Sequence, residues 1–146
     1  MCRLASAIAR HEGCRLSDRP EGGPGITLKP LNPRVTDTQV TYGFVTLVID
    51  RGKRLAEITI KAPEAPQADS AVAIVAAGDA FWPLRAFREF DDALLRLRLN
   101  EPEVGTVAVR AVGNPEAVLA VDKTLDANRN HWAVREIIHF IKRTLK

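Results

Sequence analysis

A chain of 146 residues is long enough for one domain with a buried core and too short for two of ordinary size. Its hydrophobic fraction of 46% is that of an ordinary soluble globular protein, and no apolar run approaches the roughly 20 residues of a membrane-crossing helix. The formal charge of +3 permits contact with anions, but Lys and Arg are scattered and aromatics few, so no stacking platform for bases exists and nucleic acid is not an expected partner.

Residues Cys2 to His11 can form a short helix with Leu4 and Ile8 on one face. Arg3 followed by "LASAIA" has the outline of a secretory signal, but Arg10, His11 and Glu12 end the apolar stretch too early. The expectation is a cytoplasmic chain. Cys2, His11 and Cys14 supply three possible zinc ligands whose spacing fits no zinc motif. Incidental cysteines are the better reading, and no metal site is expected. "RPEGGPGITLKPLNP", Arg19 to Pro33, is too rich in Pro and Gly for regular structure and reads as a linker. The domain division is therefore 1–36, a short helix and linker, and 37–146, the folded unit.

"VTYGFVTLVID" and "RLAEITIKA" flank "RGK" and predict a β-hairpin with Gly52 in its connection. In the second strand Ala56, Ile58 and Ile60 alternate with Glu57, Thr59 and Lys61, giving one dry and one wet face. The first is apolar on both faces and is expected to be the more buried. After the breaks at Pro63 and Pro66, "SAVAIVAAGDAF" suits a short helix. "WPLRAFREFDDALLRLRLN" is the clearest helix, with Leu84, Phe87, Leu94 and Leu97 at helical spacing and Pro83 in the first turn. Arg88 and Asp92 read as an exposed i, i+4 pair. "VGTVAVRAV" reads as a buried strand, completing a βαβ crossover if it runs parallel to the earlier one. Asn114 can cap a helix starting at Pro115. The last helix, about Asn130 to Leu145, puts Val134, Ile137, Ile138, Ile141 and Leu145 on one face. That apolar face is expected to need a partner.

Catalytic chemistry is thin. No serine sits in a glycine-framed elbow, and the histidines are His11, His131 and His139. Asp91 and Asp92 diverge by about 100° on a helix and cannot share one substrate atom. Glu101, Glu103 and Glu116 read as solvated. The last helix carries a cationic stripe of His131, Arg135, His139, Lys142 and Lys146, with Arg143 at its margin, which could hold a phosphate but is better read as a solvated face. No P-loop or dinucleotide fingerprint is present.

The order hairpin, helix, "EVGTVAVRAVG", helix resembles the opening of a crotonase (enoyl-CoA hydratase/isomerase) module, with "EFDDALLRL" matching its "EL-x-x-AL-x-x-L" helix. Three stretches resemble the benzoyl-CoA-dihydrodiol lyase family: "YGFVTLVIDRGKRLAEITIKAPEAPQ", "AGDAFWPLRAFREFDDALLRLRLNEPEVGTVAVRAVGNPEAVLAVD" and "NHWAVREIIHFIKRTLK". Those enzymes are long chains of two crotonase-like halves, and this sequence resembles the start of the second. The resemblance implies an α/β, partial crotonase-like fold: N-terminal β-hairpin, crossover helix, strand, then C-terminal helices. It implies hydrolytic ring opening of 2,3-epoxybenzoyl-CoA to 3,4-dehydroadipyl-CoA semialdehyde and formate in aerobic benzoate degradation, by a homodimer without metal or redox cofactor. The partner it implies is a CoA thioester.

Against the crotonase corner "S-A-G-A-D", whose backbone N–H serves an oxyanion hole, this chain reads Val118, Leu119, Ala120, Val121, Asp122. Bulk at Leu119 and Ala120 is expected to crowd a ligand away from the backbone and fill the corner. No catalytic residue is assigned, no cofactor-binding residue is named, and the segment is read as scaffold. The alternative is a freestanding degenerate module that binds an acyl-CoA or a partner subunit without catalysis. Expressed alone, the piece is expected to self-associate through uncovered apolar surface.

Overall fold

The computed structural model describes residues 25–146. The helix expected over residues 2–11, and with it Cys2, His11 and Cys14, lies outside the described residues. Five strands form one sheet in chain order: β1 (Arg34–Val35), β2 (Gln39–Thr41), β3 (Val45–Asp50), β4 (Leu55–Lys61) and β5 (Thr106–Val112). The first four are antiparallel, and β5 runs parallel to β4. Between β4 and β5 lie α1 (Ala71–Ala77), a 3-10 turn (Gly78–Ala80) and α2 (Trp82–Asn100). After β5 come α3 (Pro115–Ala127) and α4 (Trp132–Thr144). The chain is thus mixed α/β with the expected βαβ crossover.

Local chemistry explains most boundaries. Ser70 caps α1 by accepting from the Ala73 N–H, and Asn114 caps α3 by accepting from the Glu116 N–H at 2.9 Å. Pro83 and Pro115 occupy first turns, where a missing N–H costs nothing. In the β3–β4 connection the left-handed residue is Arg54 (φ 54°), not Gly52. Arg54 is held there because its carbonyl accepts from Gly105 and Thr106 and its Nε donates to the Glu103 carbonyl at 2.7 Å.

Three expectations need correction here. "VTYGFVTLVID" is not one strand. The chain reverses at Gly43 and Phe44, the Tyr42 N–H donates to the Val45 carbonyl at 2.8 Å, and β2 folds back on β3 with Thr41 opposite Thr46. A Cβ on Gly43 would stand 3.2 Å from Glu89 Oε1, so glycine at the reversal leaves room for that carboxylate. β5 is not buried: all seven of its residues are exposed, because it is the sheet edge and α2 lies over β3 and β4 instead. The apolar face of α4 finds its partners within the chain. Val134 and Ile137 are buried against Ile74, Phe81, Leu84, Val121 and Leu125, and only Leu145 stays largely exposed.

The core has two parts. Between sheet and α2, Val45, Leu47, Ile49, Ala56 and Ile58 meet Phe90, Ala93 and Leu97. Each large aliphatic there contributes about 1.5–3 kcal/mol by leaving water. The second part is the helical cluster just described. The Pro/Gly-rich stretch from Gly25 to Pro33 has no regular structure, yet it is docked. The Lys29 N–H donates to Asp79 at 2.8 Å, and Ile26 and Leu31 pack on the two clusters.

Candidate functional site at the strand-to-helix corner

At the end of β4 the Ala62 N–H donates to the Val112 carbonyl at 2.8 Å, carrying the parallel ladder to its last rung. The chain then turns into α3 through Gly113, at φ 114°. A Cβ on Gly113 would lie 2.8 Å from the Ala62 Cβ. Both the dihedral and the close approach require glycine. Trp82 donates its indole N–H to the Lys61 carbonyl at 2.9 Å, tying the start of α2 to the same corner.

Two clefts flank this turn. One, about 690 Å3, runs between β4–β5 and α3, with Ile60, Trp82, Phe87, Leu119 and Ile141 in its walls. Of its lining side chains only Asn114 and Asp122 end in an amide or carboxyl group. The other, about 740 Å3, lies under the 62–69 loop and is lined by Glu64, Gln67, Asp69, Asn114 and Thr124, among others. The expectation that bulky side chains fill the corner is therefore wrong. Leu119 is 57% exposed, and Ala120 is exposed beside it. Helical periodicity gives the reason: Val121 and Leu125, four apart, take the inward face, and Leu119 is rotated off it.

A buried ionic network underlies the first core. The Glu89 side chain is fully buried. Its Oε2 accepts from the N–H groups of Phe44 (2.7 Å) and Val45 (3.1 Å), and its Oε1 accepts from Arg85 Nε at 2.8 Å. Arg85 and Arg88 converge on buried Asp79 at 3.8 and 3.6 Å. Arg88 also donates to the Lys29 carbonyl. Arg88 is thus paired with Asp79 and not, as expected, with Asp92, which bonds Arg96 at 2.8 Å and accepts from the Tyr42 hydroxyl at 2.5 Å. Sequence reasoning missed Glu89. Its signal was available: Glu89 stands on the inward line Ala86, Glu89, Ala93, Leu97, with Arg85 one turn before it.

Tyr42 and Asp92 tune each other. Burial, then the hydrogen bond to Asp92 and that residue's charge, push the Tyr42 phenol well above its ordinary value. At Asp92 burial works to raise the carboxyl, but the hydrogen bonds from Tyr42 and Arg96 and the Arg96 charge outweigh it and leave it below the usual range. A raised phenol keeps its proton in the folded state while the unfolded one ionises near pH 10, so stability falls as pH rises beyond that. Tyr42 is the chain's single tyrosine. Alkaline titration of phenolate absorbance should therefore show no ionisation near pH 10 in the folded protein, with absorbance appearing only together with unfolding.

The remaining candidates disperse. His131 caps α4, its Nδ1 accepting from the Ala133 N–H at 3.3 Å, and so leaves the cationic stripe. His139, Lys142 and Lys146 are exposed, and Arg143 lies over the Phe140 ring, 5.1 Å from its centre. Asp91 and Asp92 are half-buried on α2. Glu103 and Glu116 are exposed as expected, but Glu101 is not freely solvated. It pairs with Arg51 at 2.6 Å, and that hydrogen bond holds its carboxyl below the usual range.

The architecture is that of a mixed α/β chain whose sheet is open at a parallel edge, beside an apolar cleft at a strand-to-helix corner. No family model matches the chain. It is similar to the benzoyl-CoA-dihydrodiol lyase of Aromatoleum evansii, with 43% identity over 129 residues. The match takes in 88% of this chain and 23% of that protein, so the chain spans about a quarter of the relative's length. The resemblance to benzoyl-CoA-dihydrodiol lyase drawn from the sequence is thereby shown. Among the described residues no helix is long and apolar enough to cross a membrane.

Proposed function

We propose that this chain is a segment of a CoA-thioester ring-opening lyase of aerobic benzoate degradation, corresponding to the start of a second crotonase-like half, and that it acts mainly as scaffold. The lyase turns 2,3-epoxybenzoyl-CoA into 3,4-dehydroadipyl-CoA semialdehyde and formate, as a cytoplasmic homodimer without a cofactor. The carrying observation is the 43% identity running through nearly the whole chain. The scaffold role is supported by the corner: among the described residues the walls of the apolar cleft hold one carboxyl group, Asp122, and no serine, cysteine, histidine or second carboxylate, so they offer no acid–base pair and no nucleophile with a base beside it. The catalytic groups then belong to other parts of the longer protein.

The open cleft gives weight to a second reading, a module that binds an acyl-CoA without turning it over. Incubation of the 146-residue chain with 2,3-epoxybenzoyl-CoA should release no formate; release would overturn the scaffold role. Benzoyl-CoA titrated against the fluorescence of a Trp132→Phe variant, which leaves Trp82 as the single tryptophan, separates the two readings. Saturable quenching, abolished by Leu119→Arg, supports the binding module, and a flat titration supports scaffold alone.

A further inference from the structure

The strap from Gly25 to Pro33 is held by few groups. None of its residues is buried, and only Ile26, Leu31 and Pro33 are half-buried. Among the described residues it makes three hydrogen bonds. The Lys29 N–H donates to Asp79 Oδ2 at 2.8 Å, and the Lys29 carbonyl accepts from Arg88 Nη2 at 2.9 Å. The Leu31 carbonyl accepts from Arg85 Nη2 at 3.4 Å. All three partners belong to the ionic network on and before α2, so a single charge cluster clamps the strap by its backbone.

Two features of this clamp favour its release. Arg88 Nη1 is buried and has no hydrogen-bond partner among the described residues, whereas buried donors are ordinarily satisfied. It stands 3.6 Å from Asp79 Oδ2, too far for a hydrogen bond, and that oxygen is taken by the Lys29 N–H. The second feature lies at the end of the strap. Asn32 sits at φ 47°, a left-handed angle that few residues other than glycine adopt. Lifting the strap relieves both the orphaned donor and the strained residue.

We propose that the strap is a latch with two arrangements of the Asp79 clamp. In the closed one Lys29 occupies Asp79 Oδ2 and Arg88 Nη1 goes without a hydrogen bond. In the open one the strap swings out about Asn32, and Arg88 turns onto Asp79 as a direct, hydrogen-bonded ion pair. Neither arrangement leaves a buried charge alone, so the strap lifts while the sheet stays folded. Opening removes one wall of a groove of about 500 Å3 between α2 and α4, in which Ile26, Leu28 and Leu31 stand with Leu84, Ile137 and Phe140. Leu84 and Ile137, 8% and 3% exposed with the strap in place, gain exposure when it leaves. The latch thus gates apolar surface. This inference stands apart from the lyase reading, since it uses only the strap and the network beneath it.

Native-state hydrogen exchange of the 146-residue chain tests the latch. The Lys29 amide should be protected, yet exchange roughly a hundredfold faster than the central amides of β3 and β4, as local openings do. Urea should hardly speed that exchange, because the opening exposes little surface. Lys29→Pro removes the donor to Asp79 and frees the oxygen for Arg88. Its binding of the apolar dye anilinonaphthalene sulfonate should rise at least about twofold while β3 and β4 keep their protection. A crystal structure of the variant should place an Arg88 N–H nitrogen about 2.8 Å from the Asp79 carboxylate. A Lys29 amide that exchanges only with the central strands, at their urea dependence, overturns the proposal, as does one with no protection. So does a Lys29→Pro chain that loses β3 and β4 protection, keeps the strap seated, or leaves Arg88 where it is.

Discussion

Replacing Glu89 with alanine is expected to cost about 3–5 kcal/mol, the loss typical when one member of a buried ionic pair is removed. That is a large fraction of the roughly 5–15 kcal/mol that holds a domain together, so the variant should unfold at markedly lower urea. The reasoning is local. The carboxylate is the acceptor for the Phe44 and Val45 N–H groups, which sit at the reversal between β2 and β3 and have no other acceptor among the described residues. It also neutralises Arg85. Alanine leaves two amides and a guanidinium beside a void. Glu89→Gln keeps the shape and one acceptor oxygen and should lose clearly less. Urea unfolding followed by far-UV circular dichroism reads both; equal midpoints for the alanine variant and the parent would show the network to be dispensable.

Gly113→Ala should lower stability by about 3 kcal/mol, the upper end of what a strained backbone position costs. The residue sits at φ 114°, and its new methyl would overlap that of Ala62. Relief is possible only by pulling α3 away from the end of β4, which widens the cleft beside Leu119. Thermal unfolding gives the stability change. A companion Ala62→Gly substitution should recover the part due to overlap and leave the part due to the dihedral. Full recovery would mean the turn tolerates an L-residue at that angle.

Much of the fold was legible because period and punctuation agreed. α2 announced itself through its apolar spacing and Pro83, α3 through Asn114 and Pro115, and β4 through strict alternation. The split of β2 from β3 was not, because Gly43 sits within an apolar run whose two halves both have strand character. β5 misled for a related reason: its valines mark a strand suited to burial, but burial depends on how far α2 reaches across the sheet. The corner misled because residue size was taken for occupancy. Leu119 is bulky, yet the helix phase set by Val121 and Leu125 turns it outward. The Asp79–Arg85–Arg88–Glu89 network joins α2 to residues some 45 to 60 positions away, and no local pattern encodes such closure.

Strand order that follows chain order has a kinetic consequence. β1 to β4 join by short reversals, so their pairings close small loops at little entropic expense. β5 reaches β4 only after α1 and α2 have intervened, which makes its ladder the long-range step of folding. The meander can nucleate on its own, and the late-arriving fifth strand should also be the first to let go.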